Sequence, residues 1–259
     1  MVRPMSSHLP PVPILPRHLL LLAGSGEARA IAAGLADRGD LRVTASVLAP
    51  SLAGPLKVLT RTGGFGGDDG FAQYLDREGV TAVLDATHPF AARIGQRSAP
   101  ICAARGIAYA RVLRPAWQAQ PGDRWTHVPD ESAAGALLHA GQRVFATTGR
   151  ATMEALVMKS PAQFLLRRRA AEPSPPPVAN VSYVIGQGPF SVDDEIATLR
   201  AHRIDVLVAK NSGGTASRTK LDAARALGLP VILVDRPDQV QATTLTTVAQ
   251  ALAWVENLA

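Results

Sequence analysis

Short runs of apolar residues alternate along this chain with longer stretches in which alanine and other helix formers recur at helical spacing. Seven apolar runs have the length of buried strands, at residues 19–22, 43–47, 83–85, 108–111, 144–146, 206–209 and 231–234. Helical patterns lie between most of them, and the clearest cover residues 28–36, 91–104, 216–227 and 244–258. Short strands alternating with alanine-rich helices are typical of a parallel sheet covered by helices on both faces. The pattern therefore predicts an α/β, doubly wound fold.

Four of the predicted strands end abruptly in small polar residues before the next helical pattern begins. These turns occupy residues 23–27, 86–90, 147–150 and 210–214. In an open parallel sheet, ligands bind outside the carboxyl ends of the strands, where the following helices offer free N–H groups and partial positive charge. We therefore expect the four turns to form the functional site.

The alternation is interrupted near the middle of the chain. Residues 114–122 contain two prolines and a tryptophan and fit neither pattern. We take this segment as the boundary between an N-terminal domain, residues 18–113, and a C-terminal domain, residues 114–259, with a ligand cleft between them. Residues 1–17 hold five prolines among mixed residues, which predicts a flexible leader.

The composition narrows the classes of partner. The formal charge of +6 is spread over both halves of the chain, whereas duplex binding usually needs a clustered basic stripe, so we expect no nucleic acid. The single cysteine, Cys102, excludes an internal disulfide, and the six histidines show no ligand spacing, so we expect no metal. No apolar run approaches the roughly 18 residues of a membrane span, and we expect a cytoplasmic protein.

Two segments are loops by composition. Residues 63–70 contain five glycines, which disfavour helix and strand. We interpret this segment as a flap beside the cleft, and the alternative is an ordered connection with tight turns. Residues 172–177 contain four prolines and predict an extended, exposed connection.

Gly24, Ser25 and Gly26 follow the first strand and look like the turn that binds the phosphates of a dinucleotide. The fingerprint is incomplete, because its third glycine would fall at Arg29. A simple tight turn is the alternative, but the order of strand, turn and helix favours binding. The second strand ends near Ser46 without an acid that could hold a ribose 2′-hydroxyl, so NADP is favoured over NAD.

The turn after the strand at 83–85 combines an acid, a hydroxyl, an imidazole and an aromatic ring. Asp85 or Thr87 is predicted to cap the next helix, with Pro89 in its first turn. His88 and Phe90 have no capping role. For these two residues, contact with a ligand and packing in the core are equal alternatives.

Basic residues accompany the last two turns. Arg150 follows Thr148 and a glycine, and Lys210 precedes another glycine-rich turn. A cation beside backbone donors suits a carboxylate or a phosphate. The three consecutive arginines at 167–169 are interpreted instead as a solvated run.

Taken in order, these motifs resemble the precorrin-6A reductases of cobalamin biosynthesis, the CobK/CbiJ type. The similar segments are residues 22–29, 63–67, 85–91, 117–125, 145–150, 188–190, 205–220 and 235–237. One departure is the first turn, Ala23-Gly24-Ser25-Gly26, where a Gly-Gly-Thr-Gly-like loop would be expected. Serine keeps the hydroxyl of threonine, so the change should not disturb binding.

The resemblance implies two Rossmann-like domains, the N-terminal one for NADPH and the C-terminal one for a tetrapyrrole. It also implies a hydride transfer that reduces one double bond of precorrin-6A to give precorrin-6B. The cofactor contacts are then expected at Gly24, Ser25, Gly26, Glu27, Ala28, Ser46 and Thr87. The substrate contacts are expected at His88, Arg93, Thr148, Arg150, Lys210, Ser212, Gly213 and Lys220, with Arg29 as a further candidate.

His88 and Glu27 are the candidate catalytic residues, with solvent or the substrate itself as alternative sources of the proton. The basic side chains suit the ring of acetate and propionate carboxylates on such a substrate. Neighbouring cobalamin-pathway enzymes are open as further partners. The alternatives are a cobalt-containing substrate, a non-redox nucleotide-binding module, and a methyltransferase of the same pathway, which would need an acid after the second strand.

Overall fold

The structure is a computed structural model of the 259-residue chain, and it describes residues 17–49, 56–169, 176 and 178–258. The side chains of Arg150 and Ala151 are outside this description. Apart from Arg17 and Pro176, the predicted leader and the proline-rich connection at 172–177 also lie outside the described residues.

The described part of the chain contains twelve strands and eight helices. The strands are β1 (Arg17–Ala23), β2 (Leu41–Val47), β3 (Leu59–Thr62), β4 (Ala82–Ala86), β5 (Ala108–Val112), β6 (Trp125–Val128), β7 (Arg143–Ala146), β8 (Gln163–Arg168), β9 (Val181–Ile185), β10 (Val206–Lys210), β11 (Val231–Val234) and β12 (Thr243–Leu245). The helices are α1 (Gly26–Gly34), α2 (Gly67–Glu78), α3 (Ala92–Ala104), α4 (Glu131–Ala136), α5 (Arg150–Val157), α6 (Val192–Ala201), α7 (Thr219–Ala226) and α8 (Val248–Glu256). None of these helices is long and apolar enough to span a membrane.

The first sheet is fully parallel, with the strand order β12-β5-β4-β1-β2-β3. The leucines of β1 alternate between its two faces. Leu19 and Leu21 pack in one apolar cluster with Ile31 of α1, whereas Leu20 packs in another with Phe71 of α2. All five side chains are fully buried, which explains why this strand is a continuous apolar run rather than an alternating one.

The second sheet is also parallel, with the order β6-β11-β10-β7-β8-β9. The two sheets have the same strand order. Strands β7 to β11 take the places in the second sheet that β1 to β5 take in the first, and β6 takes the place of β12. The strand order therefore reverses between β1 and β4 in one sheet and between β7 and β10 in the other. The four turns singled out in the sequence follow these four strands, and the prediction of two doubly wound domains is confirmed.

The predicted domain division is wrong at the C-terminal end. β12 pairs with β5 and α8 packs against α1, so both belong to the first sheet. The helix predicted over 244–258 is correspondingly divided, because a three-residue polar strand carries too little apolar pattern to stand out before α8. The chain thus passes between the sheets twice, in a first linker, residues 113–124, and a second linker, residues 235–242.

The predicted glycine loop is shorter than expected, because α2 begins at Gly67 and takes up its last four residues. A Cβ atom at Gly70 would lie 1.8 Å from the carbonyl oxygen of Phe65, so this glycine is needed for packing. The Phe65 ring meets those of Phe71 and Tyr74 edge-on, with centroids 4.9 and 5.1 Å away. These contacts favour the ordered connection over the flap, and movement on ligand binding stays a prediction.

Candidate active site

The four turns converge on a cleft between the two sheets, and His88 lines three cavities within it. The largest, of about 710 Å³, lies on the first domain and extends from the turns after β1 and β4 to the ends of β2 and β3. The second, of about 360 Å³, lies against the turns after β7 and β10. The third, of about 380 Å³, joins the turns after β1 and β10. We call the first two the first-domain cavity and the lysine cavity.

The turn after β1 is built as an open helix start. Ser25 is the N-cap of α1, and its Oγ accepts a hydrogen bond from the Ala28 N–H at 3.1 Å and donates one to the carbonyl oxygen of Ala86 at 2.7 Å. A Cβ atom at Gly24 would make ordinary contacts, and one at Gly26 would meet nothing within 4 Å. Packing therefore does not require these two glycines, and their lack of side chains lets an anion approach the helix start closely.

Arg61, in β3, contacts the lining of the first-domain cavity, and the sequence pattern did not reveal it. Its Nη1 donates to Oγ of Ser46 at 2.6 Å and to the carbonyl oxygen of Gly63 at 3.0 Å. Nη2 donates to the carbonyl oxygen of Gly64 at 2.8 Å, and Cζ lies 4.0 Å from the ring centroid of Phe65. Ser46 and Arg61 are direct partners in the pairing of β2 and β3, so this cation stands where the second strand ends.

Asp85 and Thr87 do not cap α3, which corrects the prediction. The helix begins at Ala92, and its N-cap, Ala91, makes no side-chain cap. Asp85 instead bonds within the turn, where its Oδ1 accepts hydrogen bonds from the N–H of Thr87 at 3.0 Å and from its hydroxyl at 2.6 Å. Thr87 lines the first-domain cavity, as its expected contact with the cofactor requires.

His88 is half-buried, and a backbone contact selects its tautomer. The N–H of Phe90 points to Nδ1 at 3.3 Å, so Nδ1 is an acceptor and the proton of the neutral ring is on Nε2. Burial, and then the positive charges of Arg114, Lys210 and Arg236, lower the pKa of His88 to about 4. The imidazole is therefore neutral near pH 7, with Nε2–H available as a donor.

Glu27 lies at the junction of the domains and has a partner. Its Oε2 is 2.7 Å from Nη1 of Arg114, in the first linker. Burial alone would raise the pKa of Glu27, but a hydrogen bond with its own backbone amide and the charge of Arg114 outweigh burial and lower it. Glu27 is consequently ionised near pH 7, which does not fit the expected role of proton donor.

The two lysines of the lysine cavity differ in their partners. Nζ of Lys210 is 2.9 Å from Oε1 of Glu131, so its charge is already balanced. Nζ of Lys220 donates to the carbonyl oxygen of Ser217 at 2.5 Å and lies 5.5 Å from the ring centroid of Trp117, and no described acid is within ion-pair distance. Burial lowers the pKa of Lys220 to about 8. Lys220 is thus the better placed of the two to bind a carboxylate.

Other expected substrate contacts are spread over the cleft. Arg93 lines the first-domain cavity rather than the lysine cavity. Ser212 lines the lysine cavity, but Nε of Arg114 donates to the carbonyl oxygens of Ser212 and Gly213 at 2.7 and 3.0 Å. A Cβ atom at Gly213, whose φ is +69°, would lie 2.1 Å from the carbonyl oxygen of Pro115. Gly213 is therefore required by the first linker, whatever it contributes to binding.

The turn after β7 contributes less than expected to the described surface. Thr148 is 2% exposed, and its hydroxyl has no hydrogen-bond partner in the part of the chain that the structure describes. Arg150 is the first residue of α5, and its side chain is outside the description. Within the described ranges, no three His, Cys, Asp or Glu side chains come together as a metal site.

The three consecutive arginines are not a solvated run, which corrects that interpretation. Nη1 of Arg167 is 2.7 Å from Oε1 of Glu195, and both side chains are largely buried. Arg168 is 7% exposed and lies over the ring of Tyr183. Arg169 is exposed and lines two cavities together with the turn after β1. It brings a cation from the second domain to the glycine turn of the first.

Comparison with known proteins places the chain among enzymes of one kind. A precorrin-6A reductase of Rhodococcus erythropolis is 44% identical over 247 residues, which are 93% of this chain and 98% of that protein. A precorrin-6A reductase of Rhodobacter capsulatus is 42% identical over 242 residues, 92% of this chain and 96% of that one. A cobalt-precorrin-6A reductase of Priestia megaterium is less similar, at 30% identity over 255 residues, 92% of this chain and 98% of that one.

A solved structure has the same fold throughout. The structure described as CobK precorrin-6A reductase superimposes with a TM-score of 0.86 at 40% sequence identity, covering 93% of this chain and 96% of its own. The family model described as precorrin-6x reductase CbiJ/CobK matches residues 18–256. The chain therefore belongs to the precorrin-6x reductase CbiJ/CobK family.

Proposed function

We propose that this chain reduces precorrin-6A to precorrin-6B with NADPH as the hydride donor. The observation that carries the proposal is the position of His88, which lines both the first-domain cavity and the lysine cavity. A dinucleotide held beside the glycine turn and a polycarboxylate held beside the lysines would meet at this residue. Holding both reactants in one cleft makes the hydride transfer effectively intramolecular.

The first-domain cavity and the glycine turn beside it carry groups that suit the anionic parts of NADPH. Gly24, Ser25 and Gly26 form the helix start for the pyrophosphate, and Arg169 adds a cation beside it. Ser46 and Arg61 stand where a ribose 2′-phosphate would lie at the end of β2. NADPH supplies the hydride, and the chain supplies binding, orientation and exclusion of water.

The tetrapyrrole is proposed to bind with its carboxylates toward the second domain. Lys220 is the leading anchor, because no described acid forms an ion pair with it, whereas Lys210 is paired with Glu131. Lys210 and Arg150 are secondary anchors. The metal-free form is the favoured substrate. The relatives named precorrin-6A reductase are 39–44% identical to this chain, whereas those named for the cobalt form are 28–30% identical.

Reduction of the double bond needs a hydride at one carbon and a proton at the other end of the conjugated system. His88 is neutral in the free enzyme near pH 7 and donates a hydrogen bond through Nε2. Carboxylates that arrive beside Lys210 and Arg114 would cancel part of the positive field and raise the pKa of His88. We therefore assign His88 as the proton donor in the ternary complex only, and we do not assign this role to Glu27.

The direct test follows the absorbance of NADPH when precorrin-6A is added to the purified protein. We expect consumption of one NADPH per tetrapyrrole, and much slower consumption with cobalt-precorrin-6A. Equal rates with the two substrates would contradict the metal-free assignment. Absence of oxidation with both, by a protein shown to be folded, would overturn the proposed function.

A further inference from the structure

A buried carboxylate lies directly behind the turn that carries His88. Asp85 is 0% exposed, and both of its oxygens are occupied. Oδ1 accepts the two hydrogen bonds from Thr87, and Oδ2 accepts one from the Tyr109 hydroxyl at 2.9 Å. Nε of Arg111 is 3.8 Å from Oδ2, and this guanidinium is 1% exposed. The carboxylate therefore connects the core of the first sheet with the lining of the cleft.

Helix α3 packs closely against the cluster formed by Asp85, Tyr109 and Arg111. A Cβ atom at Gly95 of α3 would lie 2.9 Å from Nη1 of Arg111, 3.1 Å from Oδ2 of Asp85 and 3.4 Å from the Tyr109 hydroxyl. Burial and the neighbouring Asp85 charge raise the pKa of Tyr109, so its hydroxyl remains a donor. Glycine at position 95 thus leaves room for the cluster, where a side chain would press on all three groups.

Stability alone is a weak reason for such a cluster. Nη1 and Nη2 of Arg111 are buried and have no hydrogen-bond partner among the described residues. Replacing a buried ion pair by apolar residues of similar volume is often neutral or stabilising. Asp85 also does not cap α3, so helix formation does not explain it either. Of the hydrogen bonds that Asp85 accepts, those from Thr87 lead to the cleft, because Thr87 directly precedes His88.

Hydrogen bonds in the turn after Thr87 orient the imidazole of His88. The N–H of Ala91 donates to the carbonyl oxygen of His88 at 2.8 Å, and the N–H of Phe90 donates to its Nδ1 at 3.3 Å. With Nδ1 occupied, Nε2 is the ring nitrogen left for a ligand. We propose that Asp85, oriented by Tyr109 and Arg111, is a positioning residue that holds the Thr87–His88 turn so that Nε2–H of His88 serves the cleft.

The part of this inference that concerns catalysis rests on the proposed function, but the geometry can be tested without it. The ring ¹⁵N signals of His88 in the ligand-free protein report which nitrogen carries the proton, and their titration reports its pKa. In the wild-type protein we expect the Nε2–H tautomer and a pKa near 4. This measurement needs neither NADPH nor tetrapyrrole, so failure of the proposed reaction would not affect it.

Two variants remove the constraint, and each has a conservative counterpart. Asp85→Ala removes all of the bonds, and Thr87→Val removes the hydroxyl bond with little change in shape, which keeps the test possible if Asp85→Ala does not fold. We expect both to give a mixture of His88 tautomers and a pKa shifted toward the 6.5 of free histidine. Thr87→Ser, which keeps the hydroxyl, should restore most of the wild-type signal. Asp85→Asn keeps the acceptor for Thr87 but loses the acceptor for Tyr109 and the charge beside Arg111, so it should restore less.

The kinetic result expected for Thr87→Val is a fall in kcat of roughly 10- to 100-fold, the scale of a small misplacement of a reacting group, with less effect on the KM for the tetrapyrrole. Phe164→Leu, a buried change in β8 of the second domain, controls for lost stability. If both test variants lose stability as Phe164→Leu does but keep the wild-type His88 tautomer and pKa, Asp85 is purely structural and the inference is overturned.

Discussion

Nη1 of Arg114 lies 2.7 Å from Oε2 of Glu27, and this ion pair joins the first linker to the start of α1. The same guanidinium donates through Nε to the carbonyl oxygens of Ser212 and Gly213. Arg114 therefore connects the turn after β1 with the turn after β10, one from each side of the cleft. A carboxylate engaged in this way supports the arrangement of the domains rather than proton transfer.

Glu27→Gln should accordingly leave most of the activity. The amide can still accept a hydrogen bond from Arg114, and we expect kcat to fall by less than about fivefold, since partly exposed ion pairs contribute little. Steady-state kinetics at saturating substrates measure the change. A loss above roughly 100-fold in kcat, the scale of a missing general acid, would return Glu27 to the catalytic role.

Arg61 should determine the preference for NADPH. We expect the wild-type kcat/KM to favour NADPH over NADH by at least about tenfold, or ~1.4 kcal/mol, because no acid follows β2 and a cation stands there. Arg61→Ala should lose most of this ratio by raising the KM for NADPH. The matched control is Arg42→Ala, an arginine of β2 that pairs with Glu78. Equal use of both cofactors by the wild-type enzyme would refute the assignment.

Lys220 should dominate the binding of the tetrapyrrole. Lys220→Gln is expected to raise its KM by roughly 10- to 100-fold, the scale of one charge-assisted contact, and to leave the KM for NADPH unchanged. Lys210→Gln should have a smaller effect, because Glu131 already balances that lysine. If either variant weakens only NADPH binding, the two halves of the cleft are assigned wrongly.

The same lysine predicts a dependence on pH. With a pKa of about 8 in the free enzyme, the Lys220 ammonium is charged below that pH and loses its proton above it. The kcat/KM for the tetrapyrrole should therefore fall as the pH rises through about 8, and Lys220→Gln should lack this step. A step of equal size in the variant would assign it to another group.

His88 predicts a second pH effect, on stability. Its folded pKa of about 4 lies below the 6.5 of free histidine, so the unfolded chain binds more protons between these values. The contribution of His88 to stability is therefore complete above about pH 6.5 and declines as the pH falls toward 4. Urea unfolding near pH 7 and pH 4.5 should show a smaller loss for His88→Gln than for the wild type, and parallel losses would contradict the shift.

Hydrogen exchange tests whether the start of the glycine segment moves. We expect the amides of residues 64–70 to exchange fast in the free enzyme, because the first four amides of α2, at 67–70, have no acceptor within the helix. They should gain protection with the tetrapyrrole bound, while amides from Phe71 onward stay protected in both states. If the amides of 64–70 are equally protected in both states, the segment is an ordered connection and not a flap.

The sequence was sufficient for the strands at the centre of each sheet, for a reason that β1 illustrates. Its leucines are buried on both faces, so the strand is apolar without interruption. The edge strand β3, with the sequence Leu-Thr-Arg-Thr, is largely exposed and has no such run. β12 depends on pairing with β5, more than 130 positions earlier in the chain, which no local pattern can show.

The residues of the site likewise fall into those that the sequence predicted and those that only the fold brings together. The glycine turn and the basic residues after β10 follow from the order of strand, turn and helix within a few residues. The pairs Asp85–Arg111 and Ser46–Arg61 form only when neighbouring strands align, and Glu27–Arg114 forms only when the domains meet. Each arginine is an ordinary charged residue in the sequence, and its role depends on a partner that only folding brings near.

The two passages of the chain between the sheets make the halves of this protein inseparable. A fragment ending at residue 113 would lack β12, the sixth strand of its sheet, and α8. A fragment beginning at residue 114 would contain β12 and α8 but not β5 and α1, on which they pack. Arg236 of the second linker donates through Nη1 to the carbonyl oxygen of Arg114 in the first, at 2.9 Å, so the two connections are joined side by side. A change in the angle between the two sheets would therefore have to alter both linkers together at this joint, where Arg114 also contacts the turns after β1 and β10.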